Sequence, residues 1–172
     1  MTLLYYWKPE NYQRDLDWGV GYHLNQNSPL LCEIDVGDSL WAFTRNRQRL
    51  YVLAAELVVH AKTKNPSGYR YGRFRAWGDL QLSKYFQIEH QQDITALIRS
   101  MKLSTGRHHQ SLGQAFQGRA AVRQIQPEES SLLKRYSESL PLEPRARLIP
   151  EERLEALAVY GDTKAIEKLI RQ

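Results

Sequence analysis

The stretch DLDWGVGYHLNQNSPLLCEIDVGDSLWAFTR, residues 15–45, decides how this chain is read. Trp18 and Trp41 bracket a polar run that holds Tyr22, His23, Asn25 and Asn27, and Val36-Gly37-Asp38 then leads into SLWAFTR (39–45). A Gly-Asp pair before an aromatic-rich run is turn punctuation, so a strand is expected from Ser39. Trp41 lies inside that strand and has two open readings, a core side chain or one face of a pocket. Trp18 sits in a loop between polar neighbours, which points to an aromatic surface kept for a ligand.

Working outward, LLYYW (3–7) reads as a first strand closed by Lys8-Pro9, and LYVLAAELVVHAK (50–62) as a strand separated from 39–45 by the polar turn NRQR. YRYGRFRAWG (69–78) alternates apolar or aromatic residues with polar ones or glycine at period two, the pattern of a half-exposed strand. DITALIRSM (93–101) carries Ile94, Leu97, Ile98 and Met101 at helical spacing, with Asp93 near its start. AAVRQI (120–125) reads as a closing strand. After Pro127 the composition turns to Glu, Lys, Arg, Leu and Ala, with Pro127 and Pro150 at helix starts, a proline-rich connector at 141–150 and a break at Gly161-Asp162. The expected division is a β-rich body over 1–126 and a helical tail or linker over 127–172.

The bulk composition sets limits. With 172 residues, 42% hydrophobic and 25% charged, the chain is long and apolar enough for one cored domain. A single cysteine, Cys32, excludes an internal disulfide framework and a cysteine zinc cluster, and reads as a buried structural thiol in a reducing compartment. The N-terminus lacks a basic flank followed by a long apolar run, and no stretch reaches the roughly 20 apolar residues of a membrane span. A cytoplasmic protein without a membrane partner is expected.

The charge is +5, and it is not spread evenly. From Phe43 to Arg75 the basic residues are Arg45, Arg47, Arg49, Lys62, Lys64, Arg70, Arg73 and Arg75, against Glu56 alone. Tyr69, Tyr71, Phe74 and Trp77 are interleaved with them. Cationic side chains neutralise phosphates while aromatic faces stack on bases. That combination favours a nucleic-acid surface over a solvated strand face.

Catalytic patterns are missing from the sequence. No phosphate-binding glycine loop, GxSxG or HExxH is present. His108-His109 are adjacent, have no carboxylate close by in sequence and read as part of a polar loop. No metal, cofactor or catalytic residue is therefore expected.

The order Tyr5-Tyr6-Trp7-Lys8-Pro9-Glu10, Trp18-Gly19-Val20, a polar loop with Asn25 and Asn27, Val36-Gly37-Asp38, the Trp41/Phe43 strand and AAELVVHA (54–61) resembles the EVE family. That family belongs to the PUA-like superfamily, with the ASCH, YTH and SRA domains. The likeness covers residues 3–62. The chain departs from the family in having Pro9-Glu10 for Glu-Pro and no spacer between Trp18 and Gly19-Val20. The resemblance implies an α+β PUA-like pseudo-β-barrel with flanking helices and a C-terminal helical tail. It also implies a non-catalytic reader of a methylated or hydroxymethylated base flipped out of DNA into an aromatic pocket. Such readers act with a nuclease in modification-dependent restriction; RNA binding and a nuclease subunit are the alternatives. On this reading Trp18, Gly19, Val20, Tyr22, His23, Asn25, Asn27, Trp41, Thr44 and Trp77 are candidates to line the base site, and Arg45, Arg70, Arg73 and Arg75 candidates to hold the backbone.

Overall fold

A computed structural model of the chain describes residues 1–18, 23–79, 81–103 and 111–143, apart from the side chains of Trp18 and Arg119. The elements in order are β1 (Thr2–Tyr6), α1 (Pro9–Trp18), β2 (His23–Gln26), α2 (Leu30–Glu33), β3 (Ser39–Arg45), β4 (Tyr51–Lys64), β5 (Phe74–Gly78), β6 (Lys84–Tyr85), α3 (Thr95–Ser100), α4 (Leu112–Ala115), β7 (Val122–Ile125) and α5 (Pro127–Ser137). They form an α+β fold on a mixed seven-stranded sheet of order β2-β5-β4-β3-β1-β7, with β6 paired to β4. β1 runs parallel to β3, and the other strand pairs are antiparallel. Among the described residues the path runs open from β2 to β7 and does not close into a barrel.

β1 and β3 are buried on both faces, and this explains their unbroken apolar runs. From β1, Leu3 and Tyr5 enter one core while Leu4 enters the other; from β3, Leu40 and Ala42 separate from Trp41 and Phe43 in the same way. The first core is covered by Tyr12 and Leu16 of α1, Leu24 of β2 and Leu31 of α2. The second is covered by Ile98 of α3, Leu112 of α4 and Leu133 of α5. β4 starts inside this sandwich and leaves it: residues from Tyr51 to Ala55 are buried, whereas from Val59 to Lys64 burial alternates with exposure. A bulge between Val59 and Ala61 marks the change, where β4 pairs with β5.

The strands expected at 39–45, 50–62 and 120–125 are present with nearly those bounds. In the Gly-Asp turn, Gly37 takes φ +92° and the Asp38 carboxylate accepts the Asp35 N–H at 2.9 Å. Four expectations need correction. Trp18, expected in a loop, is the last residue of a ten-residue helix that follows Lys8, with Pro9 at its first turn where a missing N–H costs nothing. The polar run at 23–26 is an edge strand, not a loop. The alternating stretch 69–78 is a strand only from Phe74, and Gly72 at φ +129° belongs to the turn before it. Cys32 is exposed, because the short α2 turns Leu31 inward and Cys32 out.

Part of the segment assigned to a tail is built into the body. Leu133 on α5 is fully buried, Ser130 accepts the Trp41 indole N–H at 3.2 Å, and the Gln87 N–H reaches the Pro141 carbonyl at 2.9 Å. The Glu129 carboxylate caps α5 through the Gln126 N–H and also accepts the Lys102 N–H. The remainder of the proposed tail, 144–172, lies outside the described residues. No helix among the described residues is long and apolar enough to cross a membrane.

Leu133→Ala is expected to cost about 2–5 kcal/mol in urea unfolding, the usual range for emptying a sealed leucine site. Leu132→Ala, at a position 42% exposed, should stay within about 0.5 kcal/mol. Equal, small effects at both positions would mean that α5 is an appendage after all.

Candidate functional site

A cleft of about 880 Å³ opens between α1, β2, the turn before β5 and the turn after α4. Its size falls within the range of small-molecule and base-sized sites, roughly 300–1,000 Å³. Each wall follows from local sequence. Tyr12 and Leu16 bury one face of α1 in the core, so Lys8 before the helix and Asn11, Arg14 and Asp15 within it line the cleft. From β2 come His23, Asn25 and Gln26, followed by Asn27. Arg70 and Tyr71 come from the turn at 69–73, and Phe116 to Gly118 close the far side.

The turn is held against β2 by contacts that leave no room to spare. Gly72 lies so close to β2 that an added Cβ would stand 2.5 Å from the Gln26 carbonyl carbon. Asn65 Nδ2 donates to the Gly72 carbonyl and to Asn25 Oδ1, both at 2.8 Å. Arg75, directly across from Asn25 in the β2–β5 ladder, donates through Nε to the same Oδ1 at 2.6 Å. Asn27 Oδ1 accepts the Arg73 N–H at 2.9 Å. Both asparagines therefore spend their oxygens fixing the turn.

Tyr5, Tyr6, Trp7, Tyr71 and Phe116 give the cleft its aromatic lining, and Tyr71 is the one that Arg14 and Arg70 approach. The Arg14 and Arg70 guanidinium carbons lie 4.8 and 4.9 Å from its ring centroid, and Arg14 Nη1 donates to its hydroxyl at 2.8 Å. Tyr69 meets Tyr71 edge-on at 5.6 Å. Beneath them Arg75 lies 5.4 Å from Tyr69 and 5.0 Å from Trp77, so cations and rings alternate from the cleft into the protein. Each cation–ring contact is worth about 0.5–2 kcal/mol, more as water is excluded.

The floor of the cleft holds Asp15 and Tyr5. Burial pushes the Asp15 carboxyl up to about 6, although the Arg14 guanidinium at 3.2 Å and the Trp7 side chain pull the other way. Burial, followed by the charge of Asp15, raises the Tyr5 hydroxyl well above the usual phenol range. That hydroxyl is sealed from solvent and makes no hydrogen bond among the described residues.

Of the expected site residues, His23, Asn25, Asn27 and Arg70 line the cleft. Trp41 and Thr44 do not; both are fully buried in β3, with Trp41 packed in the second core. Trp77 is also buried and donates its indole N–H to Thr63 Oγ1 at 3.0 Å. Arg75 is 2% exposed and acts as an internal brace, so it is removed from the residues able to reach a phosphate. Arg45 lies over the Tyr51 ring at 5.3 Å and Arg73 over Phe74 at 5.5 Å, outside the cleft lining. Trp18 ends α1, while Gly19, Val20, Tyr22 and the His108-His109 pair lie outside the described residues. Sequence reading passed over Lys8, Asn11, Arg14 and Asp15. Their placement depends on the register of α1, in which Tyr12 and Leu16, four residues apart, face the core.

Among the described residues no cluster of three His, Cys, Asp or Glu side chains is placed to hold a metal ion. The lining offers cations, amides and one tyrosine ring braced by arginines, an arrangement suited to binding an anionic, planar ligand.

The Asp15 carboxyl sits above its ordinary 3.8, so the folded protein holds that proton more tightly than the unfolded chain. Stability from this group is complete below about pH 4 and is lost as pH rises through about 6. Asp15→Asn should remove that loss. Relative to the parent, the variant is expected to gain on the order of 1–3 kcal/mol between about pH 4 and pH 7 in urea unfolding. Parallel stability profiles would show that Asp15 is not carrying a buried charge.

Compared with protein-family models and with characterised proteins, the chain matches none of them.

Proposed function

We propose that this protein is a non-catalytic nucleic-acid-binding module that takes a base, flipped out of DNA, into the cleft between α1 and β2. One observation carries the reading. Tyr71, with Arg14 and Arg70 close to its ring, stands in the same cleft as Lys8 and the amides of Asn25 and Asn27. A ring of this kind stacks on a base at about 1–3 kcal/mol, which offsets the few kcal/mol of unstacking the base from the duplex. Lys8 and Arg70 face no carboxylate among the described residues and are available to flanking phosphates.

The order of motifs over residues 3–62 supports placing the chain with the PUA-like, EVE-type readers, and the open mixed sheet is compatible with that placement. On this reading the target is DNA carrying a methylated or hydroxymethylated base. The module works in the cytoplasm beside a nuclease supplied by another chain or domain. The stacking surface differs from the one expected from sequence: Tyr71 replaces Trp41.

Fluorescence anisotropy against matched DNA and RNA duplexes, plain and modified, tests the reading. Binding should weaken steeply with salt, and Lys8→Gln with Arg70→Gln should flatten the log–log slope by roughly 0.9 for each phosphate no longer neutralised. Tyr71→Ala should lower affinity by about 1–3 kcal/mol on every target alike. A slope and affinity untouched by all three changes would remove the cleft from consideration, and tighter binding to the RNA duplexes would move the target class to RNA.

A further inference from the structure

The polarity of the β2 wall narrows what the cleft can accept. Asn25 Oδ1 accepts from Arg75 Nε and Asn65 Nδ2, and Asn27 Oδ1 accepts from the Arg73 backbone N–H. A guanidinium and a backbone N–H can only donate. Turning either amide over would set its NH₂ against these donors and break the brace that holds the 69–73 turn. The orientation of both side chains is therefore dictated by the fold.

What remains to each is Nδ2, a donor. Neither nitrogen is engaged by the described protein; Asn27 is an exposed residue, and the nitrogen of the half-buried Asn25 is not among the sealed atoms. Lys8 and Arg70 beside them are also donors and never acceptors. Among the described residues Asp15 is the one carboxylate of the lining, and its Oδ1 is taken up by Arg14. The amides of Asn11 and Gln26 can rotate to serve either polarity, whereas those of Asn25 and Asn27 cannot.

We infer that Asn25 and Asn27 select a base whose exposed edge presents carbonyl oxygens. Resting on the reading above, this names the target as a keto base, guanine or thymine and their modified forms, in preference to adenine or cytosine. Guanine offers O6 and thymine O4 where adenine and cytosine set an exocyclic NH₂; N7 is an acceptor on both purines and does not separate them. A donor facing that NH₂ leaves two buried donors opposed.

The test uses the full chain and four DNA duplexes, each with a single unpaired dG, dT, dA or dC at one position, plus a fifth with an abasic site there. The parent protein should bind dG and dT roughly tenfold tighter than dA and dC, and the abasic duplex most weakly. Asn25→Asp and Asn27→Asp keep the oxygen that braces the turn and replace the free NH₂ by an acceptor. Their melting temperatures should stay near the parent value. Added negative charge lowers affinity for all DNA, so the readout is the keto-to-amino ratio, which should collapse or invert. A parent that binds the four bases equally, or prefers dA and dC, overturns the inference and leaves base-independent binding standing. So does an abasic duplex bound as tightly as dG, since the donors then meet phosphate. A ratio unchanged in both aspartate variants overturns it as well. Failure of every duplex to bind would overturn the functional reading with it.

Discussion

Burial of β1 and β3 on both faces is the constraint from which the rest of the fold follows. A strand with Leu3 and Tyr5 on one side and Leu4 on the other cannot face water in either direction. Two covering layers are needed, and the chain supplies α1, α2 and β2 for one and α3, α4 and α5 for the other. α5 is therefore part of the fold despite its charged, tail-like composition; Leu133 completes a core that β1, β3 and β4 leave open. The same constraint places Trp41 out of reach of any ligand, since its side of β3 lies under α5.

The cleft lies where this two-sided burial ends. Beyond the bulge at Val59, β4 leaves the sandwich and pairs with β5, whose residues Arg75 to Gly78 are buried, and β2 forms the outer edge beyond it, with Leu24 buried and its other residues half-buried. An edge strand can be polar, and His23, Asn25 and Gln26 follow from that freedom. The buried guanidinium of Arg75 then needs acceptors, and Asn25 and the Tyr69 hydroxyl provide them at 2.6 and 3.2 Å. Meeting that need is what fixes the asparagine amide and draws the Tyr71 turn against β2. Gly72 permits the approach, because any side chain there would strike the backbone of Gln26. The polarity of the binding wall is thus a consequence of how an arginine is buried behind it.

Much of the sheet was legible in the sequence because β3 and the first half of β4 are continuous apolar runs ended by turn residues. The helix at 9–18 was not, because its apolar face consists of Tyr12 and Leu16 within a strongly polar segment, and Lys8-Pro9 reads equally as the end of a strand. The stretch 69–78 misled through its alternation. The aromatic phase slips at Gly72, where a turn gives way to a strand, and the arginine two residues inside that strand is buried rather than exposed. For the site, Asn25, Asn27, His23 and Arg70 stood out as polar or cationic residues near aromatics, and they do converge. The tryptophans stood out as well, but a large aromatic in a strand is first of all core material, and Trp41 and Trp77 are that. Asp15 and Arg14 depend on a helix register that one sequence does not display.

The central claim is that nucleic acid enters the cleft between α1 and β2, against Tyr71. Backbone and side-chain amide NMR of the full chain, titrated with the tightest-binding duplex, tests it most directly. The account predicts that the largest shift changes fall on Asn11, Arg14, the Asn25 and Asn27 side-chain amides and Tyr71, with little change on α3 and α5. Changes confined to the turn at Arg47 and Arg49, or spread over the second core with the cleft silent, would contradict it.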